Sequence, residues 1–317
     1  MAQPYSGLTG AACIVLESPY GTGTPVAADA IPIDPEKRIH ELDAKPVDLH
    51  ALRVSSLPPP PAFGLRSWKV AVETYFRNGG VAGTPSKCGR LLQAAGFKET
   101  DGASDDVYAP LASDGQSLGI AEYWGGWKFL SSGVRFEKGS IGGKVGEPLM
   151  GKFEGSGLYA APTDSAIISS PVLDTTPPIL VGIGGSFSFG GVALEIQEFS
   201  FEWVNQYLAR IAYGAATGYA GFQIGGHKSA KAKIKANLES VADFPFFAAM
   251  LGETNKVWDQ TLGTAAGNKV DIDLPRCRIV SPPKLSVEGG IGRVELEISA
   301  HDSTDNAAND WASIKLY

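Results

Sequence analysis

The chain has 317 residues, of which 44% are hydrophobic and 19% charged, with 39 glycines and 21 prolines. This composition is typical of a globular protein, and the length suggests about two domains. The formal net charge of -7 excludes an overall basic surface for gripping nucleic acid.

The cysteines, the histidines and the N-terminal region narrow the class of protein further. The three cysteines form no C-x-x-C pair and the four histidines stand singly, so we expect reduced thiols in an intracellular protein and no metal centre: Cys13, Cys88, Cys277, His40, His50, His227 and His301. No Lys or Arg precedes Lys37, which argues against a signal peptide. The longest uncharged apolar stretch, Pro177–Leu194, holds two prolines and five glycines, so a soluble protein is expected.

Alternation of apolar and polar residues predicts that most of the chain is β. Trp68–Phe76 alternates in this way along its whole length. The alternation of Val192–Ile196 changes parity at Phe199, which indicates a bulge or a bend. Further strands are predicted at Lys269–Leu274, Lys284–Val287 and Arg293–Ile298.

Thr84–Gly96 is the first of two predicted helices. Thr84 offers an N-terminal cap, Pro85 fits the first turn, and Gly96 fits the left-handed position after the last turn. Its apolar residues share one stripe: Cys88, Leu91, Leu92 and Ala95. We expect Leu91 to anchor this helix in the core.

Ser240–Gly252 is the second predicted helix. Ser240 or Asp243 would cap it, and its apolar stripe would be Phe244, Phe247, Ala248 and Leu251. Phe247 is therefore the expected counterpart of Leu91.

The surroundings of the two helices indicate an internal duplication. Trp68–Phe76 corresponds to Ala230–Leu238 at an offset of 162 residues, and the helix ends correspond at 156. The strands that follow correspond at 150, and a closing strand, Lys152–Leu158, matches Val294–Ala300 at 142. The sequence thus predicts a mainly β (α+β) fold of two tandem β-rich modules, each with one flanking helix: residues 1–160, a linker at 161–178, and residues 179–317.

Two long excursions interrupt these modules. Pro25–Ala62 ends in four consecutive prolines, Pro58 to Pro61, and Gln206–Lys228 separates two strands of the second module. Long excursions in compact β modules are usually binding arms or disordered segments, and the proline run favours an extended arm.

The motifs that suggest chemistry have simpler explanations. The G-x-S-x-G sequence around Ser117 precedes a strand-like segment, whereas a nucleophile elbow needs a helix there. The glycines of Gly182–Gly185 also lead into a strand, not into the helix of a phosphate loop. Asp271 and Asp273 lie on the polar parity of a strand, which favours a solvated face over a metal site. We expect no catalytic, cofactor-binding or metal-binding residues.

A row of three lysines admits two interpretations. Lys231, Lys233 and Lys235 could contact DNA phosphates, or they could form a solvated strand face paired with Glu295 and Glu297 on a neighbouring strand. The matching row of the first copy is not consistently basic. The paired face is therefore favoured.

Several segments, taken in order, resemble the tail tube (major tail) proteins of long-tailed bacteriophages. They are Glu17–Pro25 followed by Ala27–Pro32, the succession of a strand, Thr84-Pro85 and Leu91–Phe97, and the ending Pro148–Gly157. The resemblance covers most of the first module, and the duplication extends it to the second, so it implies two tandem tail-tube-like modules of the β-sandwich, barrel-forming type.

The resemblance implies a virion structural protein, made in the host cytoplasm, without enzymatic activity or cofactors. Subunits of such proteins form stacked rings, and their inner sheets close into a barrel through which DNA passes. The flanking helices would lie outside the barrel, and Pro25–Ala62 and Gln206–Lys228 would contact neighbouring subunits or rings. Other tail proteins would bind the tube ends, and an acidic lumen would let DNA slide.

Ring size and two other functions stay open at this point. Two modules per chain favour a trimeric ring with pseudo-sixfold symmetry over a hexamer. One alternative function is a serine hydrolase built on Ser117. The other is a monomeric tail-associated binding module, in which Trp124 and Trp127 would line a pocket.

Overall fold

A computed structural model describes residues 10–33, 37–47, 62–112, 115–174, 176–238, 240, 243–304 and 309–317. The first part of the chain contributes ten strands: Gly10–Leu16 (β1), Ala30–Ile31 (β2), His40–Val47 (β3), Ala62–Tyr75 (β4), Phe97–Asp101 (β5), Asp106–Pro110 (β6), Leu118–Trp124 (β7), Trp127–Lys144 (β8), Met150–Tyr159 (β9) and Thr163–Asp164 (β10). The second part contributes nine: Ser186–Phe189 (β11), Val192–Ala193 (β12), Ile196–Ile211 (β13), Tyr219–Asn237 (β14), Lys256–Ala265 (β15), Asn268–Ile279 (β16), Lys284–Glu288 (β17), Ile291–His301 (β18) and Ser313–Leu316 (β19). Two α-helices, Lys87–Ala94 (α1) and Phe246–Leu251 (α2), complete the fold, and the prediction of a mainly β protein is confirmed.

One antiparallel sheet, the central sheet, runs through both parts of the chain. Its eight strands pair in the order β3-β4-β9-β8-β13-β14-β18-β17. The two parts meet where β8 pairs with β13, with Lys144 opposite Glu198 and Lys138 opposite Val204. The sheet is open, with β3 at one end and β17 at the other.

The same succession of pairings occurs in each part. In the first part β3 pairs with β4, β4 with β9, β9 with β8, β8 with β7 and β7 with β1. In the second part β13 pairs with β14, β14 with β18, β18 with β16, β16 with β15 and β15 with β11. A helix follows β4 and β14 alike.

The pairings refine the offset that was read from the sequence for the closing strand. Val72 lies opposite Phe153, and Ile234, which is 162 residues beyond Val72, lies opposite Leu296. Aligned through these pairings, the closing strands correspond at 143, not 142. The value of 142 is wrong because it aligns buried Phe153 with exposed Glu295. The strands before the closing strands correspond at 143 as well, not 150, since Arg135 lies opposite Ser156 and Arg278 opposite Ser299.

The core lies against the apolar face of the central sheet. Large side chains from both parts meet there, with ring centroids 6.1 Å apart for Phe153 and Trp203 and 5.1 Å apart for Phe97 and Trp203. Gly139 allows this packing, because a Cβ atom at that position would lie 2.2 Å from the Trp203 indole. The predicted parity change near Phe199 is confirmed by a register shift at the start of β13.

The first helix is close to its prediction but begins later. Ser86, not Thr84, is the cap: its backbone is extended and its side chain accepts a hydrogen bond from the Gly89 N–H at 3.0 Å. Leu91 is completely buried, and Gly96 has the left-handed φ of +91° that the sequence indicated.

The second helix is shorter than predicted and presents a different face to the core. Phe246 and Ala249 are buried, whereas Phe247 is 49% exposed and Leu251 77% exposed. Phe247 is therefore not a core anchor, and the prediction of a stripe through Phe247, Ala248 and Leu251 is wrong. The reason is that buried Phe244 precedes the helix, so it does not set the phase of the helical face.

The predicted excursions and linker are more ordered than the sequence suggested. Gln206–Lys228 is the end of the hairpin of β13 and β14, and it packs on the first part: the Tyr207 hydroxyl donates to the Ser156 carbonyl at 3.3 Å. Within Pro25–Ala62 the structure describes β2 and β3, whereas the proline run lies outside the described residues. The linker is tied to the first part, since Lys87 donates to the Val172 carbonyl at 2.7 Å.

Neither α-helix is long and apolar enough to cross a membrane, within the part of the chain that the structure describes.

Candidate assembly surface

The polar face of the central sheet alternates in charge from strand to strand. Across five adjacent strands, the residues directly opposite one another are Lys284, Glu295, Lys235, Glu198 and Lys144. The outer pairs are close, with 3.6 Å between Lys284 and Glu295 and 3.9 Å between Lys144 and Glu198. Opposite charges on facing positions stabilise a sheet, so this row specifies the register of its strands.

The lysine row of β14 belongs to this pattern. Lys233 lies opposite Glu297 and Lys235 opposite Glu295, as expected if the two strands were neighbours. Lys231 lies 3.4 Å from Glu297. The interpretation as a paired strand face is therefore confirmed, and the row is not an isolated basic track.

The open ends of the central sheet expose apolar side chains beside unpaired backbone. Every residue of β17 is exposed, with Leu285 at 54% and Val287 at 74%. On β3, Leu42 is 49% exposed. Within the described residues, β17 pairs only with β18 and β3 only with β4. Such edges favour pairing with another strand.

A buried polar network fixes the edge strand β3 to the first part. His40 Nδ1 lies 2.9 Å from the carboxylate of Glu122, and His40 Nε2 lies 2.8 Å from Ser131 Oγ. The backbone N–H of His40 also donates to Glu122 at 3.1 Å. Arg38 completes the network, since its Nε donates to the same carboxylate at 2.7 Å.

The charge of Glu122 is maintained in this buried setting. Burial by itself would raise the pKa of the carboxyl, but the hydrogen bonds and charges of His40 and Arg38 outweigh it, so the pKa is lowered from 4.5. An ionised carboxylate accepts all three donors, and these charge-assisted hydrogen bonds favour the charged form.

The Ser131–His40–Glu122 arrangement has the connectivity of a catalytic triad but not its access. Ser131 is completely buried and His40 is 5% exposed, beneath the rings of Trp68 and Phe129. A substrate carbonyl cannot reach the hydroxyl, so the network acts as an anchor for β3. The sequence signal for it was a glutamate inside the apolar run of β7, which sequence reasoning did not use.

Ser117, the centre of the G-x-S-x-G motif, has a structural role. Its hydroxyl donates to Glu17 at 2.6 Å, and it is 3% exposed. The same carboxylate accepts from the backbone N–H groups of Gly21 and Gly133 at 2.8 and 2.9 Å. Ser117 therefore helps to hold the Glu17–Pro25 segment, and its geometry gives the hydrolase alternative no support.

The remaining candidates from the sequence do not converge on one site. The His227 ring donates through Nε2 to the Gly96 carbonyl at 3.1 Å, and burial lowers the pKa of His227 to about 4. Asp273 lies 3.3 Å from Lys315. Gly182–Gly185 turns directly into β11, as expected. No cluster of potential metal ligands occurs among the described residues.

Trp124 and Trp127 cover the β3 anchor instead of lining a pocket. The Arg38 guanidinium lies 4.6 Å from the Trp124 ring centroid, and Trp127 stacks on Phe129 at 5.9 Å. The two tryptophans face each other across the turn between β7 and β8.

The end of the β13–β14 hairpin is a second exposed apolar feature. Leu208, Ile211 and Tyr213 are exposed, and Tyr213 is fully so. The other side of the hairpin is held against the first part, because the Phe222 N–H donates to the Tyr20 hydroxyl at 2.8 Å. The hairpin thus presents apolar residues from a supported base.

Comparison with known proteins identifies one family. A family model described as phage tail tube protein matches residues 7–300, nearly the whole chain. No curated protein matches the chain.

Proposed function

Because the chain belongs to the phage tail tube protein family, and is therefore a structural protein of the virion tail, we propose that it polymerises into stacked rings that form a conduit for DNA ejection. The observation that carries this proposal is the central sheet, which continues through both parts of the chain and, within the described residues, ends in two unpaired edges. A sheet of this kind satisfies its edges when copies join side by side.

A ring would contain three chains with pseudo-sixfold symmetry. The repeated succession of pairings supports two equivalent modules, residues 1–160 and 179–317 joined by residues 161–178, each adding four strands to the central sheet. Barrel diameter follows strand number, so six modules from three chains would enclose the same width as six single-module subunits. A hexameric ring is the alternative.

The polar face of the central sheet would line the lumen. Its lysines and glutamates alternate, so the lumen would carry a nearly balanced charge instead of the acidic charge that the resemblance implied. Alternating charges produce a field that decays over a short distance, so DNA phosphates would be neither held nor strongly repelled.

Contacts between rings would come from the exposed arms. The apolar end of the β13–β14 hairpin is one such arm. The other is the segment Pro25–Ala62, where β3 and β4 flank residues 48–61. Other tail proteins would bind the two ends of the tube.

Electron microscopy of the purified chain tests this function. Negative-stain images should show hollow tubes or rings, and Ser117→Ala should leave them unchanged if it folds. Monodisperse globular particles at all concentrations would contradict the proposal. Hydrolytic turnover that disappears in Ser117→Ala would instead favour the enzyme.

A further inference from the structure

We infer that β17 of one chain pairs antiparallel with residues 37–43 of a second copy, with Lys284 opposite Glu41 and Glu288 opposite Lys37. This inference rests on the proposed function, since it specifies how neighbouring subunits of a ring join.

The junction between β8 and β13 inside one chain provides the template. β8 lies beside β9 as β17 lies beside β18, and β13 lies beside β14 as β3 lies beside β4. β8 is therefore the equivalent of β17, and β13 is the equivalent of β3, so the internal junction pairs the same two kinds of strand. In a ring of equivalent modules, the junction between chains repeats it.

The register of the β8–β13 junction can be mapped onto the junction between two chains, residue by residue. At the internal junction Ser140 lies opposite Glu202 and Lys144 opposite Glu198. Ser140 lies opposite Lys152 on β9, and Lys284 lies opposite Glu295 on β18. Lys284 is therefore the equivalent of Ser140, and Glu288, four residues further on, is the equivalent of Lys144.

The residues of the second copy that correspond to β13 are found in the same way. Glu202 faces Lys231 on β14, and Glu41 faces Lys69, its equivalent on β4. Counting back from Glu41 places Lys37 at the position of Glu198. The pairs Lys284–Glu41 and Glu288–Lys37 follow.

The side-chain charges agree with this register, which follows from the backbone pairings alone. With Lys284 opposite Glu41, the alternation Lys235, Glu295, Lys284 continues through Glu41 to Lys69 of the second copy.

The second row behaves in the same way. Glu73 lies 3.1 Å from Lys152 and 2.7 Å from Lys37, so Glu288 opposite Lys37 extends this row as well. At the internal junction the lysine, Lys144, is on β8 and the glutamate, Glu198, is on β13. In the proposed pair the glutamate is on β17 and the lysine is Lys37, so the two charges are still opposite.

Other registers lose this match. A slip of one residue would turn the charged side chains to the core face. A slip of four residues would place Lys284 opposite Lys45 and Glu288 opposite Glu41. A slip of two keeps at most one opposite-charge pair.

The exposure of Leu42 agrees with a missing neighbour. Leu42 lies opposite Trp68, and its equivalent Trp203 lies opposite Ala230. Trp203, which has β8 beside it, is 1% exposed, whereas Leu42 is 49% exposed. Pairing with a second copy would cover Leu42.

Cysteine cross-linking tests the register directly. Directly opposite residues of an antiparallel pair have Cα atoms about 4.5–5.5 Å apart, within reach of a disulfide. The chain with Lys284→Cys and Glu41→Cys is assembled, oxidised and run on a non-reducing denaturing gel. The gel should show bands of two and three disulfide-linked chains, and no larger species. The native cysteines are buried, and each single variant controls for them.

The register control is the chain with Ser286→Cys and Glu41→Cys, which should not cross-link efficiently. Cross-linking of this control alone, or tubes without cross-links in the first variant, would overturn the inference while leaving the tube function intact. Wild-type chain that forms neither rings nor tubes would instead overturn the proposed function, and the inference with it.

If the cysteine variant does not assemble, charge reversal decides. Glu41→Lys and Lys284→Glu should each reduce the yield of tubes, and the double variant should recover part of it. A double variant that assembles no better than the worse single variant would contradict the pairing.

Discussion

Strands β3 and β13 hold equivalent positions beside β4 and β14, yet different interactions secure them. β13 has neighbours on both sides and packs aromatic residues into the core, with Phe201 and Trp203 almost wholly buried. β3 has one neighbour, and the position equivalent to Phe201 holds His40, which is fixed by Glu122. An edge strand cannot rely on packing from both sides, so a polar anchor defines its place.

The largest expected difference is between Trp203 and its equivalent Leu42. Trp203→Ala should lower the free energy of unfolding by about 3–5 kcal/mol, because it empties a buried site. Leu42→Ala should change that of the unassembled chain by less than about 0.5 kcal/mol. Denaturant unfolding of the two variants measures both. Equal losses would show that Leu42 is already covered within one chain.

The two helices provide the next comparison. Leu91→Ala should cost about 2–5 kcal/mol, since Leu91 is completely buried in α1. Phe247→Ala on α2 should cost less than about 0.5 kcal/mol, because half of that side chain is exposed. Thermal and denaturant unfolding check both values. A large loss in Phe247→Ala would restore the helix face that the sequence suggested.

Removal of the β3 anchor should have an intermediate effect. Glu122→Gln should lower stability at neutral pH by about 1.5–3 kcal/mol, because hydrogen bonds to a charged group are lost. The matched control is Glu154→Gln, whose side chain is 65% exposed and lies 3.9 Å from Lys138. The control should change stability by less than about 0.5 kcal/mol.

The same variant changes the pH dependence of stability. The folded-state pKa of Glu122 is lowered from 4.5, so its contribution is fully present above about pH 4.5 and is lost as the pH falls through the lowered value. Wild-type protein should lose more stability than Glu122→Gln on acidification through this range. Parallel pH profiles would contradict an ionised anchor.

The smallest effect on stability is expected at the hairpin end. Tyr213→Ser should leave the free energy of unfolding within about 0.5 kcal/mol, since Tyr213 is fully exposed. Tube length in electron micrographs should nevertheless fall if the hairpin joins rings. Val81→Ser, another exposed apolar residue, serves as control. Tubes of normal length from Tyr213→Ser would contradict a role of the hairpin end in joining rings.

The sequence predicted those features that depend on periodicity along one segment. The alternation of Trp68–Phe76, the left-handed Gly96 that follows α1 and the lysine row of β14 all reappear in the structure. The prediction failed at α2, because it counted Phe244, which lies before the helix, as part of the buried helical face, whereas the helix buries Phe246 and Ala249.

The candidate assembly surface was harder to predict, because it depends on which strands become neighbours. Nothing local in Lys144 or Glu198 reveals that β8 pairs with β13. Gln206–Lys228 appeared to be an irregular arm, since its glycines and small residues obscure the alternation of a twisted hairpin. The anchor of His40 and Glu122 joins residues 82 positions apart, which spacing along the chain cannot show.

A cryo-electron microscopy reconstruction of the assembled tube would show how many chains form a ring and which strands join them. Three chains per ring are expected, with β17 of each chain paired to β3 of the next in the manner of the internal junction between β8 and β13. Six chains per ring, with residues 179–317 placed outside the barrel, would contradict it.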